Sequence, residues 1–212
     1  MPLRRVVLRP KTRAPELMAE LLGHLDAGRP IIAPTETLYG FLARLDRPEA
    51  LQRVVDLKGR DGAKPMPCVA AHTAMALACF DSIPHDLDRL AQRFWPGPLT
   101  LIGPAKASCV GPATGGGPTI GVRVPGMKFL RTLTAQVGVP LAATSANRSG
   151  RPGAGDPDAI AAQFADEDVI LYDAGILPPS KGSTVVDLTV RPFHVVREGD
   201  VPIKAIEAAL RR

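Results

Sequence analysis

Short β-branched runs alternate with helical stripes along the whole chain, and that alternation restricts the fold more than any other feature. Strands are expected at residues 6–8, 30–33, 38–42, 67–71, 99–102, 119–124, 139–143, 169–172, 184–188 and 193–196. Helical spacing falls at residues 15–27, 48–57, 84–94, 127–137, 157–164 and 202–210, with a small-residue helix running through Cys79. Asp46, Asp81 with Ser82, and Asp156 stand where N-caps belong. The pattern predicts an α/β fold with a mixed sheet, and no linker divides it, so one domain over residues 1–212 is expected.

Within that frame, residues 31–65 have an order of their own. An apolar run, Ile31-Ile32-Ala33, breaks at Pro34 into two threonines flanking Glu36. After Tyr39-Gly40 and a helical stripe the stretch ends in Lys58-Gly59-Arg60. Strand, small hydroxyls, turn, helix and cations in that order suggest a pocket for an anionic ligand with a polar companion.

Composition narrows the function classes. With 45% hydrophobic and 22% charged residues the chain is of the soluble globular kind, and 4% aromatics leave its core to aliphatic side chains. A net charge of +5 permits an anionic partner such as a nucleotide or RNA, although scattered cations also suit a solvated surface. No apolar run approaches the roughly 20 residues that span a bilayer, and the opening MPLRRVVLRPKTR lacks the apolar core of a secretion signal. Three cysteines without a CxxC indicate neither a disulfide framework nor zinc, and the four histidines are too dispersed for a metal set. A cytoplasmic protein with reduced thiols is the expectation.

Several residues carry chemistry, each with a plainer alternative. Lys58 and Arg60 can converge on one phosphate or carboxylate, or simply offset the dipole of a helix end. Ser145 and Asn147 follow a buried strand, where ligands gather in α/β sheets, but can also bond their own turn. Arg123 near a strand end is an anion clamp or an edge charge facing water. Ser183-Thr184 at a loop-to-strand junction offers hydroxyls for a ligand or for capping. The loop GPATGGGP, residues 111–118, could aim amides at phosphate or be a flexible connection, and it lacks the ending of a Walker sequence. Cys68 and His72 read as a buried cysteine and a helix-entry histidine.

PTETLYG, KGR followed by KP, FWPGPLTL, IGVRVP, SANRSGRP and GSTVVDLT occur here in that order. Together they resemble the YrdC-like domain family, the L-threonylcarbamoyladenylate synthases of tRNA threonylcarbamoyladenosine biosynthesis, over residues 17–197 and in the short form without an extra C-terminal domain. The resemblance implies a twisted mixed sheet flanked by helices around a positively charged cavity. It implies a nucleotidyltransferase that joins L-threonine, bicarbonate and ATP into threonylcarbamoyl-AMP and releases pyrophosphate, with Mg2+ accompanying the nucleotide. A threonylcarbamoyl transferase complex, and tRNA itself, are the partners it implies. By the same resemblance Arg60, Lys64, Thr119, Ser145 and Ser183 surround the nucleotide, with Lys58 and Asn147 beside its phosphates and Lys58 and Arg60 as the catalytic cations. Thr37, Arg123 and Ser183 hold threonine, the arginine pairing with its carboxylate.

The chain departs from that pattern in two places. Residues 41–44 read FLAR where relatives carry a smaller, Gly-containing stretch, and Val69 stands where relatives place a histidine, with His72 three residues later. Two other functions remain at this level: a module binding double-stranded RNA or tRNA through a basic surface, and a diverged relative with another carbamoyl acceptor. Residues 103–118 and 174–182 are the lid candidates, on length and glycine content.

Overall fold

Ile31, Ile32 and Ala33 set the architecture, because a strand sends successive side chains to opposite faces and all three are fully buried. Both faces of their sheet are therefore covered. The computed structural model describes residues 2–7, 14–153 and 155–211. Its strands are β1 (Arg4–Val7), β2 (Ile31–Pro34), β3 (Tyr39–Arg44), β4 (Cys68–Val69), β5 (Leu99–Pro104), β6 (Thr119–Arg123), β7 (Leu141–Ser145), β8 (Ile170–Asp173), β9 (Thr184–Asp187) and β10 (His194–Arg197). The helices are α1 (Ala14–Asp26), α2 (Pro48–Lys58), α3 (Thr73–Leu77), α4 (His85–Phe94), α5 (Lys128–Val137), α6 (Pro157–Gln163) and α7 (Ile203–Leu210).

All ten strands form one mixed sheet in the order β1-β8-β2-β3-β7-β4-β6-β5-β9-β10. β8 pairs in parallel with β1 and β2, while β7 lies antiparallel between β3 and β4. On one face Ile31, Ala33, Leu42, Val69, Leu141 and Tyr172 pack with α1 and α5. On the other, Ile32, Phe41, Cys68, Val122 and Leu171 pack with α2, α4, α6 and α7. Phe41 meets Phe164 edge to face at 5.1 Å, so the bulky residue after Tyr39-Gly40 is absorbed by this second layer.

The expected elements are present with shifted ends, and two expected caps are not. Helix α2 begins after Arg47 without a side-chain cap, because Asp46 is turned to Arg44, 2.9 Å away. Helix α4 starts after Pro84 rather than at Asp81-Ser82, again without a side-chain cap. Asp156 does cap α6, accepting from the Asp158 amide at 2.9 Å. The strand expected at 67–71 is only two residues long. Of the strand expected at 6–8, Leu8 lies outside the described residues.

Candidate active site

One cavity of about 120 Å³ opens on the sheet face that carries Leu42, Val69 and Leu141. Its walls include Thr35 and Thr37 from the β2–β3 turn, Val69 of β4, Arg123 of β6, Ala143 and Ser145 of β7, Ser183 before β9, and Arg197 of β10. Thus Thr37, Arg123, Ser145 and Ser183, proposed from separate parts of the sequence, share one space. The β2–β3 turn lies three strands from β6 in the sheet, about 14 Å if the sheet were flat. Yet Glu36 of that turn accepts from Arg123 Nη1 at 2.8 Å and from the Met127 amide at 3.1 Å. The sheet therefore curls, as the right-handed strand twist dictates over so many strands.

Arg123 is 6% exposed on an interior strand, which excludes an edge charge facing water. Lys58 is 5% exposed, which excludes the solvated helix end. Gly59 takes the left-handed conformation that ends α2. The Lys58 ammonium donates to the Ser145 carbonyl at 2.5 Å, the Asn147 carbonyl at 2.9 Å and Asn147 Oδ1 at 3.3 Å. It also lies 5.9 Å from the Phe41 ring centroid. Lys58 thus stands behind the Ser145 end of the cavity rather than in its wall.

The polar groups near it are largely engaged. Ser145 Oγ donates to Asn147 Oδ1 at 2.5 Å, and the Asn147 amide nitrogen donates to the Arg148 and Arg151 carbonyls. The local-turn alternative thus describes Asn147 well: it braces Lys58 and Ser145 and does not line the cavity. Ser183 Oγ accepts from Thr100 Oγ1 at 3.0 Å and from Arg197 Nη2 at 3.1 Å.

Arg60, half-buried beyond α2, donates through Nη2 to the Lys64 and Pro65 carbonyls, while its Nε is buried with no partner. Lys64 is exposed and Thr119 half-buried at the start of β6; neither these nor Arg60 lines the cavity. Most amides of the 111–118 loop are engaged within the loop itself. Those of Thr114, Gly115, Gly116 and Gly117 bond within the loop, and the Ala113 carbonyl accepts from Met66 at 2.7 Å, so the segment is neither a phosphate cradle nor loose. In the 174–182 segment, Tyr39 Oη binds the Ala174 amide and the Gly175 carbonyl at 2.8 Å each.

His72 is exposed and caps α3 through Nδ1, 3.2 Å from the Met75 amide; it does not reach the cavity, whose wall carries Val69 instead. Two further side chains, Arg197 and Glu36, belong to this arrangement, and no motif in the sequence gives either a role. Arg197 reaches the cavity because Val196 is an extra residue that shifts the β9–β10 register and sets Arg197 opposite Val185. In the sequence Glu36 is marked only by its place between two threonines. A polar residue in a hairpin turn was the only signal for it.

The cations share one electrostatic condition. Burial lowers Lys58 to about 8, with Arg60 adding to the shift. Burial likewise lowers Arg60 and Arg123, opposed by Asp61 and Glu36 respectively, and partial desolvation lowers the more exposed Arg197. Desolvated cations are stabilised when an anion enters, so the arrangement suits a strongly anionic ligand. Among the described residues no group of three or more His, Cys, Asp or Glu could hold a metal ion. Among them, too, no helix is long and apolar enough to cross a membrane.

Comparison with known proteins gives this geometry a family. The Sua5–YciO–YrdC family model, described as telomere recombination, matches residues 24–199. The chain is 34% identical over 188 residues to the threonylcarbamoyl-AMP synthase of Pyrococcus abyssi, covering 89% of this chain and 55% of that protein. It is 32% identical over 168 residues to the synthase of Thiobacillus denitrificans, covering 79% of this chain and 89% of that one. The crystal structure of P. abyssi Sua5 complexed with L-threonine superposes with a TM-score of 0.89 at 31% identity, covering 99% of this chain and 61% of the other. The chain spans about half the length of the first curated relatives it matches. A family model matched from residue 24 to residue 199, on a sheet that superposes this closely, leaves one conclusion: the chain belongs to the Sua5–YciO–YrdC family.

Proposed function

We propose that the protein is a threonylcarbamoyl-AMP synthase working on L-threonine, bicarbonate and ATP. The observation that carries this reading is the convergence of Thr37, Arg123, Ser145 and Ser183 on one cavity, with buried Lys58 behind it. At about 120 Å³ the enclosed part is well below the size of a drug-sized pocket, so it takes the amino acid, with the nucleotide extending toward Arg60 and Lys64. Arg123 pairs with the threonine carboxylate, and Thr37 and Ser183 offer hydroxyls beside it.

The chemistry needs position and charge more than a nucleophile from the protein. The threonine amine and bicarbonate give a carbamate with loss of water, and a carbamate oxygen then attacks the α-phosphorus of ATP as the bond to pyrophosphate breaks. The carbamate and ATP are both anions, so cations fixed in advance must offset their repulsion and the charge spread over the phosphoryl oxygens. Lys58, Arg60, Lys64 and Arg197 supply that charge, Ser145 and Thr119 bond the nucleotide, and Asn147 holds Lys58 and Ser145 in place. Magnesium enters as part of the ATP substrate. The product serves a tRNA-modifying transferase complex in the cytoplasm, and residues 1–212 act as one domain.

Pyrophosphate release from ATP and magnesium, measured with and without L-threonine and bicarbonate, tests the reading. Release that requires both supports it; none under any condition removes it. Val69 in the cavity wall favours one second reading, a relative with a different amino-acid acceptor. Release that depends on another amino acid and ignores threonine would establish that alternative.

A further inference from the structure

Arg123 binds nothing well unless its fork is held still, and the structure shows what holds it. Nη1 donates to Glu36 Oε1 at 2.8 Å, and the guanidinium makes no other hydrogen bond among the described residues. Nε and Nη2 are thereby left for the cavity that Arg123 lines. Glu36 does not line that cavity, so its carboxylate grips the guanidinium from behind. The carboxylate is itself fixed, because Oε2 accepts from the Met127 amide at 3.1 Å. Gly126 leaves the space it needs: a Cβ there would stand 2.4 Å from Oε2, with the next backbone atom 4.0 Å away.

We infer that Glu36 is a positioning residue for the amino-acid substrate, holding Arg123 aimed so that one edge of its fork meets the substrate carboxylate. The inference rests on the reading that the cavity takes threonine. Burial disfavours the charged guanidinium, and Glu36 opposes that effect. A long side chain tethered at one nitrogen also loses less freedom when a ligand arrives, which favours two-point recognition. The same carboxylate sets a limit: it already neutralises one side of the arginine, so the cavity recognises one carboxylate there.

The test is calorimetric binding of L-threonine, L-threonine amide and ATP to the wild type, Glu36→Gln, Glu36→Asp and Gly126→Ala, with thermal midpoints alongside. Gly126→Ala displaces the carboxylate without touching Arg123, so the question survives a Gln variant that folds poorly. The expected result is L-threonine binding weakened at least about tenfold in each folded variant, the loss of one well-made charged contact. Binding of the amide, which lacks the carboxylate, and of ATP stays within about twofold. Equal losses for threonine, its amide and ATP would show a merely structural role and overturn the inference. Unchanged or tighter threonine binding would overturn it too, the tighter case marking Glu36 as a competitor. If the variants bind threonine as the wild type does while the wild type releases pyrophosphate, only this inference fails. A wild type that binds no threonine ends both.

Discussion

Lys58 gives up water for three carbonyl-type oxygens, and that exchange has two consequences of opposite sign. Its pKa falls from 10.5 to about 8 through burial. Between those values the unfolded chain binds more protons than the folded one, so Lys58 makes stability rise with pH across that window. Activity in the proposed reaction should move the other way, declining above about pH 8 as the charge that Lys58 would supply to the phosphates is lost. Denaturation midpoints and turnover at pH 7 and pH 9.5 check both trends. Lys58→Met should remove the stability rise and lower kcat/KM by about a hundredfold. At this scale the sequence was informative where a residue type and an element end coincided, as for Lys58, Arg123 and Ser145. It was silent on Glu36, whose role exists only through a partner 87 positions away.

The connection between β5 and β6 shows what an element adds. Read from its glycines it could be a lid or a cradle, yet it folds into two 3-10 turns, Ala107–Cys109 and Pro112–Thr114, that close on themselves. Gly115 explains the glycine content: its φ is 61°, and a Cβ would stand 2.2 Å from the Ala63 carbonyl oxygen. That contact is backbone against backbone and cannot be relieved by a rotamer. Gly115→Ala should destabilise the protein by about 2 kcal/mol and displace the Arg60–Lys64 segment, the nucleotide side in the proposed reaction. A lowered thermal midpoint, with a KM for ATP that rises more than that for threonine, is the expected outcome. Equal changes in both KM values would speak against a nucleotide-side role. Spacing alone located the helices, but capping required a residue free to cap. Asp46 was already bound to Arg44, a competition no local rule reveals.

For the whole molecule, alternation of strand and helix made the α/β class legible, and the order of strands was not. β7 inserts between β3 and β4, and β8 between β1 and β2, through contacts set by long-range burial. The site depends on that order. Residues 120, 122 and 124 face one core, so Thr119 and Arg123 share the opposite face, at the two ends of β6. Four residues of extended chain separate them by about 13 Å. In the proposed reaction one end meets the nucleotide and the other the threonine carboxylate. β6 is then a gauge: a strand pinned between two neighbours cannot stretch, so it fixes how far the carboxylate sits from the phosphorus under attack. An amino acid of another length would be held and still miss. β-Homothreonine, one methylene longer, should compete with threonine for binding yet support pyrophosphate release about a hundredfold more slowly, since an error near 1 Å costs that much. Turnover at the threonine rate would mean that the distance is set elsewhere.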